Sequence, residues 1–251
     1  MSFAVPAAYD RFMGRYSVPL GPQLADLADV RAGQRALDVG CGPGALTGEL
    51  VMRLGPEAVS AVDPSEPFVA AVRERYPGVD AQRASAEMLP FPDESFDASL
   101  AQLVVHFMKD PVLGLGEMGR VTRRRGVIAA CVWDYGGDQA PLAPFWKAAR
   151  QLDSEVDDES QLPGVREGHL GELFEEAGLH QIEETALTVA VEHRTFDEWW
   201  DPYTLGVGPA GAHVDSLDPE RQIELREVAR ENLPAAPFVV TALAWAARGI
   251  V

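Results

Sequence analysis

ALDVGCGPGALTGEL, residues 36–50, reads as strand, turn and helix within fifteen positions. RALDV (35–39) is a short apolar run bounded by Gly33 and Gly40, the pattern of a buried strand. ALTGELVMRLG (45–55) sets Leu46, Leu50, Val51 and Leu54 at helical spacing, and Gly55-Pro56 stops it. Between them, Gly40, Gly42 and Gly44 make a turn whose backbone can approach a ligand closely. The helix start adds free N–H donors and a positive dipole end. In a doubly wound sheet such a turn lies at the carboxyl ends of the strands, where ligands bind.

Outward from this turn the pattern repeats. AVSAVD (58–63) and VDAQRA (79–84) read as strands, with the helix PFVAAVRERY (67–76) between them. SFDASLAQLVVHF (95–107) contains a fourth strand, LGLGEMGRVTR (113–123) is a helix and GVIAACVW (126–133) a fifth strand. Strand alternating with helix predicts βαβ units and a parallel sheet. Residues 1–32 form a leader with helical pieces. After 133 the regularity ends: residues 134–164 are rich in Asp, Pro and Gly around a short helix, PFWKAARQL. The acidic run DSEVDDES (153–160) reads as a solvated loop. HLGELFEEAG (169–178) is a helix, HQIEETALTVAVEHR (180–194) a strand, 195–234 mostly helix and loop, and FVVTALAWAARG (238–249) a closing strand. The expected organisation is one domain over 1–251: a core at 33–133, a cap from 134–165 and 193–233, and a final strand within 236–251.

Composition narrows the partners. The 251 residues carry 21 Lys plus Arg against 39 Asp plus Glu, so the net charge is 21 − 39 = −18. An apolar fraction of 47% argues for a packed core and against disorder. The charge disfavours nucleic acid and anionic membrane surfaces, which select basic proteins. The one short basic run, Arg123–Arg125, reads as a solvated turn before a strand. Cys41 and Cys131 are too few and too far apart for a disulfide framework or a metal motif. MSFAVPAAYDRF has no charged n-region, and no stretch reaches about 18 apolar residues, so the expected compartment is the cytoplasm. Only Lys109 and Lys147 are lysine, a bias of GC-rich genomes.

Two cofactor readings meet at the glycine turn. Gly40, Gly42 and Ala45 satisfy G-x-G-x-x-A, and Asp63 follows Ala45 by 18 residues, where a nicotinamide enzyme places its ribose-binding acid. Against a dinucleotide stands Asp38, in D-x-G-x-G-x-G. A carboxylate there can orient the loop and suits a cationic or ammonium-bearing ligand, but is awkward near a pyrophosphate. There is also no Tyr-x-x-x-Lys pair, which one class of hydride-transfer enzymes needs.

The segments LDVGCGPGALT, AVDPSEPFV (61–69) and AEMLPFPDESFD (86–97), in this order, resemble three motifs of the class I S-adenosylmethionine (SAM)-dependent methyltransferases. The group includes the ubiquinone-biosynthesis C-methyltransferases. The resemblance covers 35–133 and extends more loosely over 9–251. YDRFMGRYS and FDEWWDPY resemble a bacterial subgroup with unassigned substrates. The resemblance implies a Rossmann-like, doubly wound α/β sheet of seven strands, the last antiparallel. It implies that Gly40, Cys41 and Gly42 line the methionine portion of SAM through backbone groups. Asp63 would accept from both ribose hydroxyls, Pro64 and Ser65 would flank the adenine, and Ala86 would offer its N–H to that ring beside Glu87. Gln102 and Leu103 would contact the methionine end. Tyr9, Arg15 or Tyr16 would close over the cofactor, with an arginine on its carboxylate. Two positions depart from the family: Ser85 stands where Asp often binds the adenine amino group, and Arg124-Arg125-Gly126 replaces Pro-Gly-Gly.

Methyl transfer needs an aligned, dry pocket, and a base only if the acceptor must lose a proton. His106, after the fourth strand, is the best-placed base, or else a satisfied structural histidine. Tyr203 and His213 are further candidates in the late insertion, or else cap packing. Asp134 and Tyr135 end the fifth strand at the same rim, or form a turn. Phe145, Trp146, Phe196, Trp199, Trp200 and Tyr203 wall an acceptor pocket or form the cap's own core. The expected acceptor is a small, neutral or apolar molecule, the product S-adenosyl-L-homocysteine (SAH), and the assembly a monomer or homodimer. A nicotinamide-dependent oxidoreductase, and a SAM-fold protein that binds the cofactor without transferring methyl, remain as alternatives.

Overall fold

A computed structural model describes residues 6–251; the first five residues of the leader lie outside it. Three short pieces wind into one N-terminal helical arm: α1 (Pro6–Tyr9), a π-turn over Asp10–Gly14, and α2 (Arg15–Leu27). The π-turn turns Phe12 and Met13 inward, and Leu20 and Leu24 of α2 are fully buried. β1 (Ala36–Val39) enters the glycine turn and α3 (Ala45–Leu54) leaves it. β2 (Val59–Asp63), α4 (Glu66–Arg75), β3 (Asp80–Arg83), β4 (Phe96–Gln102), α5 (Pro111–Val121) and β5 (Thr122–Trp133) follow.

The later half supplies α6 (Ala143–Leu152), α7 (His169–Glu176), β6 (His180–His193), α8 (Phe196–Trp200), α9 (Gly208–Ser216), α10 (Pro219–Asn232) and β7 (Phe238–Ile250). The sheet has seven strands in the order β3-β2-β1-β4-β5-β7-β6. β1 to β5 are parallel, β7 runs antiparallel to β5, and β6 pairs antiparallel to β7 at the edge. β1 is fully buried and sits between β2 and β4, so the strand order reverses there. That reversal opens a crevice beyond the carboxyl ends of β1, β2 and β4.

Two local expectations shift. β5 begins at Thr122 rather than 126, directly after α5. The basic run is therefore a bulge inside the strand: the β4–β5 register slips between Phe96 and Ala98, and Arg125 takes φ 63°. The three arginines remain exposed, with Arg123 paired to Asp97 at 2.5 Å. The second shift concerns the acidic run, because Glu159 is only 2% exposed.

Candidate active site

The crevice begins with backbone. The amides of Gly40 and Cys41 donate to the Val62 carbonyl at 2.8 and 2.9 Å, which ties the glycine turn to the end of β2. A Cβ on Gly40 would lie 2.1 Å from Cγ2 of Val104, so only glycine lets this turn close on the β4 side. A Cβ on Gly42 would meet nothing within 4 Å, so open space lies beside it, and its φ of 52° favours glycine. Asp63 braces the same turn, accepting from Gly42 N at 2.9 Å and Ser65 N at 2.8 Å. Burial raises its carboxyl above the ordinary range, and the Ser65 and Gly42 amides oppose that rise. Each oxygen keeps lone-pair capacity for a further donor.

Asp38 lies beneath, 1% exposed, taking the Thr47 hydroxyl at 2.6 Å. Burial pushes it up to about 7, with the Thr47 bond opposing and the Asp63 charge adding to the rise. Its carboxylate is tied to Thr47 of α3, behind the glycine turn. Cys41 is 6% exposed, and burial and the charges of Asp38 and Asp63 raise its thiol, which suits a packed filler.

Across the turn, Pro64, Ala84, Ser85, Ala86, Glu87, Val104 and Phe107 line a cleft of about 250 Å³ that Gly40 closes. The Ser85 hydroxyl donates to the Glu87 carboxylate, which also accepts from Lys109 N at 2.8 Å. Burial opposes the Glu87 charge, but the Ser85 hydroxyl and the Glu87, Lys109 and Asp110 amides outweigh it, and its carboxyl sits low. With its proton committed to Glu87, the Ser85 oxygen is left to accept. Gln102 donates to the Ser17 carbonyl at 2.9 Å and joins the leader to β4, while its Oε1 is buried without a partner. Leu103 follows at φ 61° and turns into a second cavity.

The leader reaches the glycine turn through Asp10 rather than through Arg15. Asp10 pairs with Arg75 at 2.5 Å, and Arg75 donates to the Pro43 carbonyl at 2.8 Å, which fastens the leader to the glycine turn. Tyr9 lies edge-on to Phe68, with ring centroids 5.5 Å apart. Burial and the neighbouring Asp63 and Asp10 raise its phenol. Arg15 is committed elsewhere: it meets Glu198 at 2.9 Å, the Glu192 carbonyl at 2.9 Å and His193 Nδ1 at 3.3 Å. Tyr16 meets His193 Nε2 at 2.8 Å. Burial, then the Arg15 charge, lowers His193 to about 4, so it stays neutral between these two partners. Arg15 and Tyr16 therefore lock α2 to the end of β6.

The second cavity, of about 30 Å³, is lined by the leader, the ends of β4 and β5, Leu142, Glu159 and the start of α9. Phe107 lines both it and the cofactor-sized cleft. His106 is 4% exposed, packs against Phe107 at 3.9 Å and has no partner on Nδ1. Burial lowers it to about 3, so it is neutral near pH 7. Trp133 also lines the cavity, and its buried indole nitrogen has no partner. Tyr135 and Glu159 complete the polar set. The indole of Trp146 donates to Glu159 Oε2 at 3.0 Å. Burial lifts Glu159 to about 7, opposed by Trp146 and Tyr135 and reinforced by Asp158.

Of the three catalytic candidates, only His106 lines this cavity. Tyr203 is buried behind it, stacked on Phe145 at 4.6 Å and edge-on to Phe12 at 5.3 Å. His213 lines a different cavity of about 220 Å³, with Leu152, Leu217 and Leu225. Phe145, Trp199, Trp200 and Tyr203 pack mainly on one another, so the aromatic cluster is the cap's own core. Glu159 had no sequence signal apart from the acidic run that contains it. Its burial comes from Trp146 and Tyr135, which are 13 and 24 residues away in the chain.

A family model described as a methyltransferase domain matches residues 37–130, the segment that builds the crevice. A phosphatidylethanolamine N-methyltransferase of Cereibacter sphaeroides is 32% identical over 155 residues, covering 59% of this chain and 73% of that protein. A malonyl-[acyl-carrier protein] O-methyltransferase of Erwinia billingiae is 35% identical over 108 residues, covering 43% and 42%. Against several curated relatives the chain spans less than half of their length. Among solved structures, a SAM-dependent methyltransferase of Thermotoga maritima superposes with TM-score 0.54 at 19% identity, covering 97% of this chain and 98% of that one.

Proposed function

The chain belongs to the methyltransferase family, and from that premise we propose that it transfers a methyl group from SAM to a small molecule with an apolar body. The observation that carries this reading is the pair of chambers that share Phe107. One is the cleft beside the glycine turn, lined by Ser85, Glu87 and Lys109 among apolar groups; the other is lined largely by aromatic side chains.

The residues present fit a nucleoside cofactor. Open space at Gly42 and the backbone of Gly40 and Cys41 would receive the methionine portion, with Asp38 holding the turn and Gln102 and Leu103 at its end. The remaining lone pairs of Asp63 would take the ribose hydroxyls, and Pro64 and Ser65 would flank the base. Ser85, Ala86 and Glu87 would meet its edge. When bound, SAM supplies an electrophilic methyl on a sulfonium. The chain holds the acceptor side dry: Phe12, Met13, Leu142 and Val207 exclude water, and His106 stays uncharged. The segments 134–165 and 193–233 serve as the acceptor-side cap. An acceptor enters once the leader or the 207–209 turn moves outward, since about 30 Å³ holds only about two waters.

Isothermal titration of the protein with SAM, SAH and NADH, repeated with Asp63→Ala, tests this. The expected result is binding of SAM and SAH but not NADH, lost in the variant. Binding of NADH alone would return the glycine turn to a dinucleotide.

A further inference from the structure

We propose that Glu159 is the acceptor-recognition group of this enzyme, taking a hydrogen bond from an N–H or O–H carried by an otherwise apolar methyl acceptor. The inference rests on the methyl-transfer reading above and adds the chemical class of its substrate.

A buried carboxylate costs several kcal/mol unless something compensates it. Glu159 is 2% exposed, and the two partners that compensate it are neutral groups: the Trp146 indole at 3.0 Å and the Tyr135 hydroxyl. A carboxylate has about four lone-pair sites. Two neutral donors leave capacity on a group that lines the cavity.

The neighbouring polar atoms narrow the ligand. His106 Nδ1 and Trp133 Nε1 are buried without partners, and both side chains line the same cavity. The indole can only donate, so it asks for an acceptor atom. A head group that donates to Glu159 and accepts from Trp133 satisfies both, and a hydroxyl or an uncharged N–H group with a free lone pair does this, whereas an ammonium can only donate. A hydrocarbon leaves these groups unpaired, and a carboxylate meets Glu159 with like charge. The rest of the wall, Phe12, Met13, Leu103, Leu142 and Val207, sets the apolar body. Phe107 places this head beside the cofactor cleft.

A purely structural Glu159 would staple the 153–164 segment to α6 through Trp146. Glu159→Gln separates the two roles, because the amide oxygen still accepts the indole N–H while the charge is gone. The full chain, saturated with SAH, is titrated with phenol and benzyl alcohol and, in parallel, with anisole, toluene and benzoate, by ligand-observed NMR. Phenol or benzyl alcohol should bind the wild type at least about ten-fold more tightly than the three comparison probes, because a site built for a donor rejects analogues lacking it. Glu159→Gln should erase that preference with its SAH affinity retained and the protein still folded at the temperature and pH of the titration. Equal binding of anisole or toluene, an unchanged preference in Glu159→Gln, or no binding of either protic probe to an SAH-saturated protein would each overturn this inference alone. Failure of the wild type to bind SAH would overturn the cofactor reading, and this inference with it.

Discussion

The cleft beside the glycine turn and the cavity beyond Phe107 share a wall and draw on different parts of the chain. The cleft is drawn from the ends of the parallel strands, Gly40 after β1, Pro64 after β2, Ala84–Glu87 after β3 and Val104 with Phe107–Lys109 after β4, around a glycine turn held by backbone bonds. The cavity is mostly side chains, drawn from the leader, the ends of β4 and β5, the acidic run and the α9 start. Backbone cradles depend on where glycine sits and tolerate little change. Side-chain cavities can be relined without disturbing the sheet. One fold can thus keep its cofactor while the acceptor varies.

The largest expected effect breaks the cap and leaves the cleft. Phe145 is fully buried and stacked on Tyr203. Phe145→Ala should cost about 3–5 kcal/mol in chemical denaturation. SAH affinity should stay within a few-fold at temperatures where the variant is folded. Gly40→Ala inverts this: its methyl meets Val104 at 2.1 Å and φ is 71°. About 1–3 kcal/mol of overpacking is expected, and SAH binding should weaken at least about ten-fold by titration. Gly42→Ala sharpens the point, since its methyl meets no protein atom and should reduce SAH affinity with a smaller loss of melting temperature.

The third expectation concerns pH. Glu159 rises from 4.5 in the unfolded chain to about 7 when folded, so the folded state holds its proton more tightly. Its contribution to stability is fully present below about pH 4.5 and is lost as pH rises through about 7. His106 acts in the other sense: its folded value of about 3 lies below the unfolded 6.5, so stability falls as pH drops below 6.5. Replacing Glu159 by Gln removes only the first trend. The melting temperature of Glu159→Gln relative to wild type should therefore improve from pH 5 to pH 8. An unchanged difference would mean that Glu159 is not the buried titrating group.

The smallest effect separates Arg15 from the cleft. Its pair with Glu198 is partly exposed, so Arg15→Ala should cost only about 0–1 kcal/mol in a thermal melt. SAH affinity should be unchanged. A ten-fold loss would instead return Arg15 to the cofactor carboxylate.

The same contrast explains what could be read from the sequence. The sheet and the cleft were legible because their residues lie close together in the chain and carry local signals: a glycine turn, an acid ending β2, an A-E-x-L-P-F segment. The cavity was not, because no local signal marks it. Glu159 sits in a run that looks solvated and is buried by Trp146 and Tyr135 from elsewhere. His213 and Tyr203 have suitable chemistry, but the packing of α9 and the aromatic cap turns one toward another cavity and buries the other in the cap core. The basic run is exposed, as its charge implies, but lies within β5 rather than in a turn before it, since a bulge keeps the strand paired beyond it.

The division between cleft and cavity is tested most directly by titrating SAH into the wild type, Asp63→Ala and Glu159→Gln side by side. Asp63→Ala removes a charged acceptor from two backbone amides and from the ligand, and should lose at least about 100-fold in affinity at about 1.5–3 kcal/mol per charged hydrogen bond. Glu159→Gln should match the wild type within about two-fold. Equal losses in both variants, or no loss in Asp63→Ala, would contradict the account.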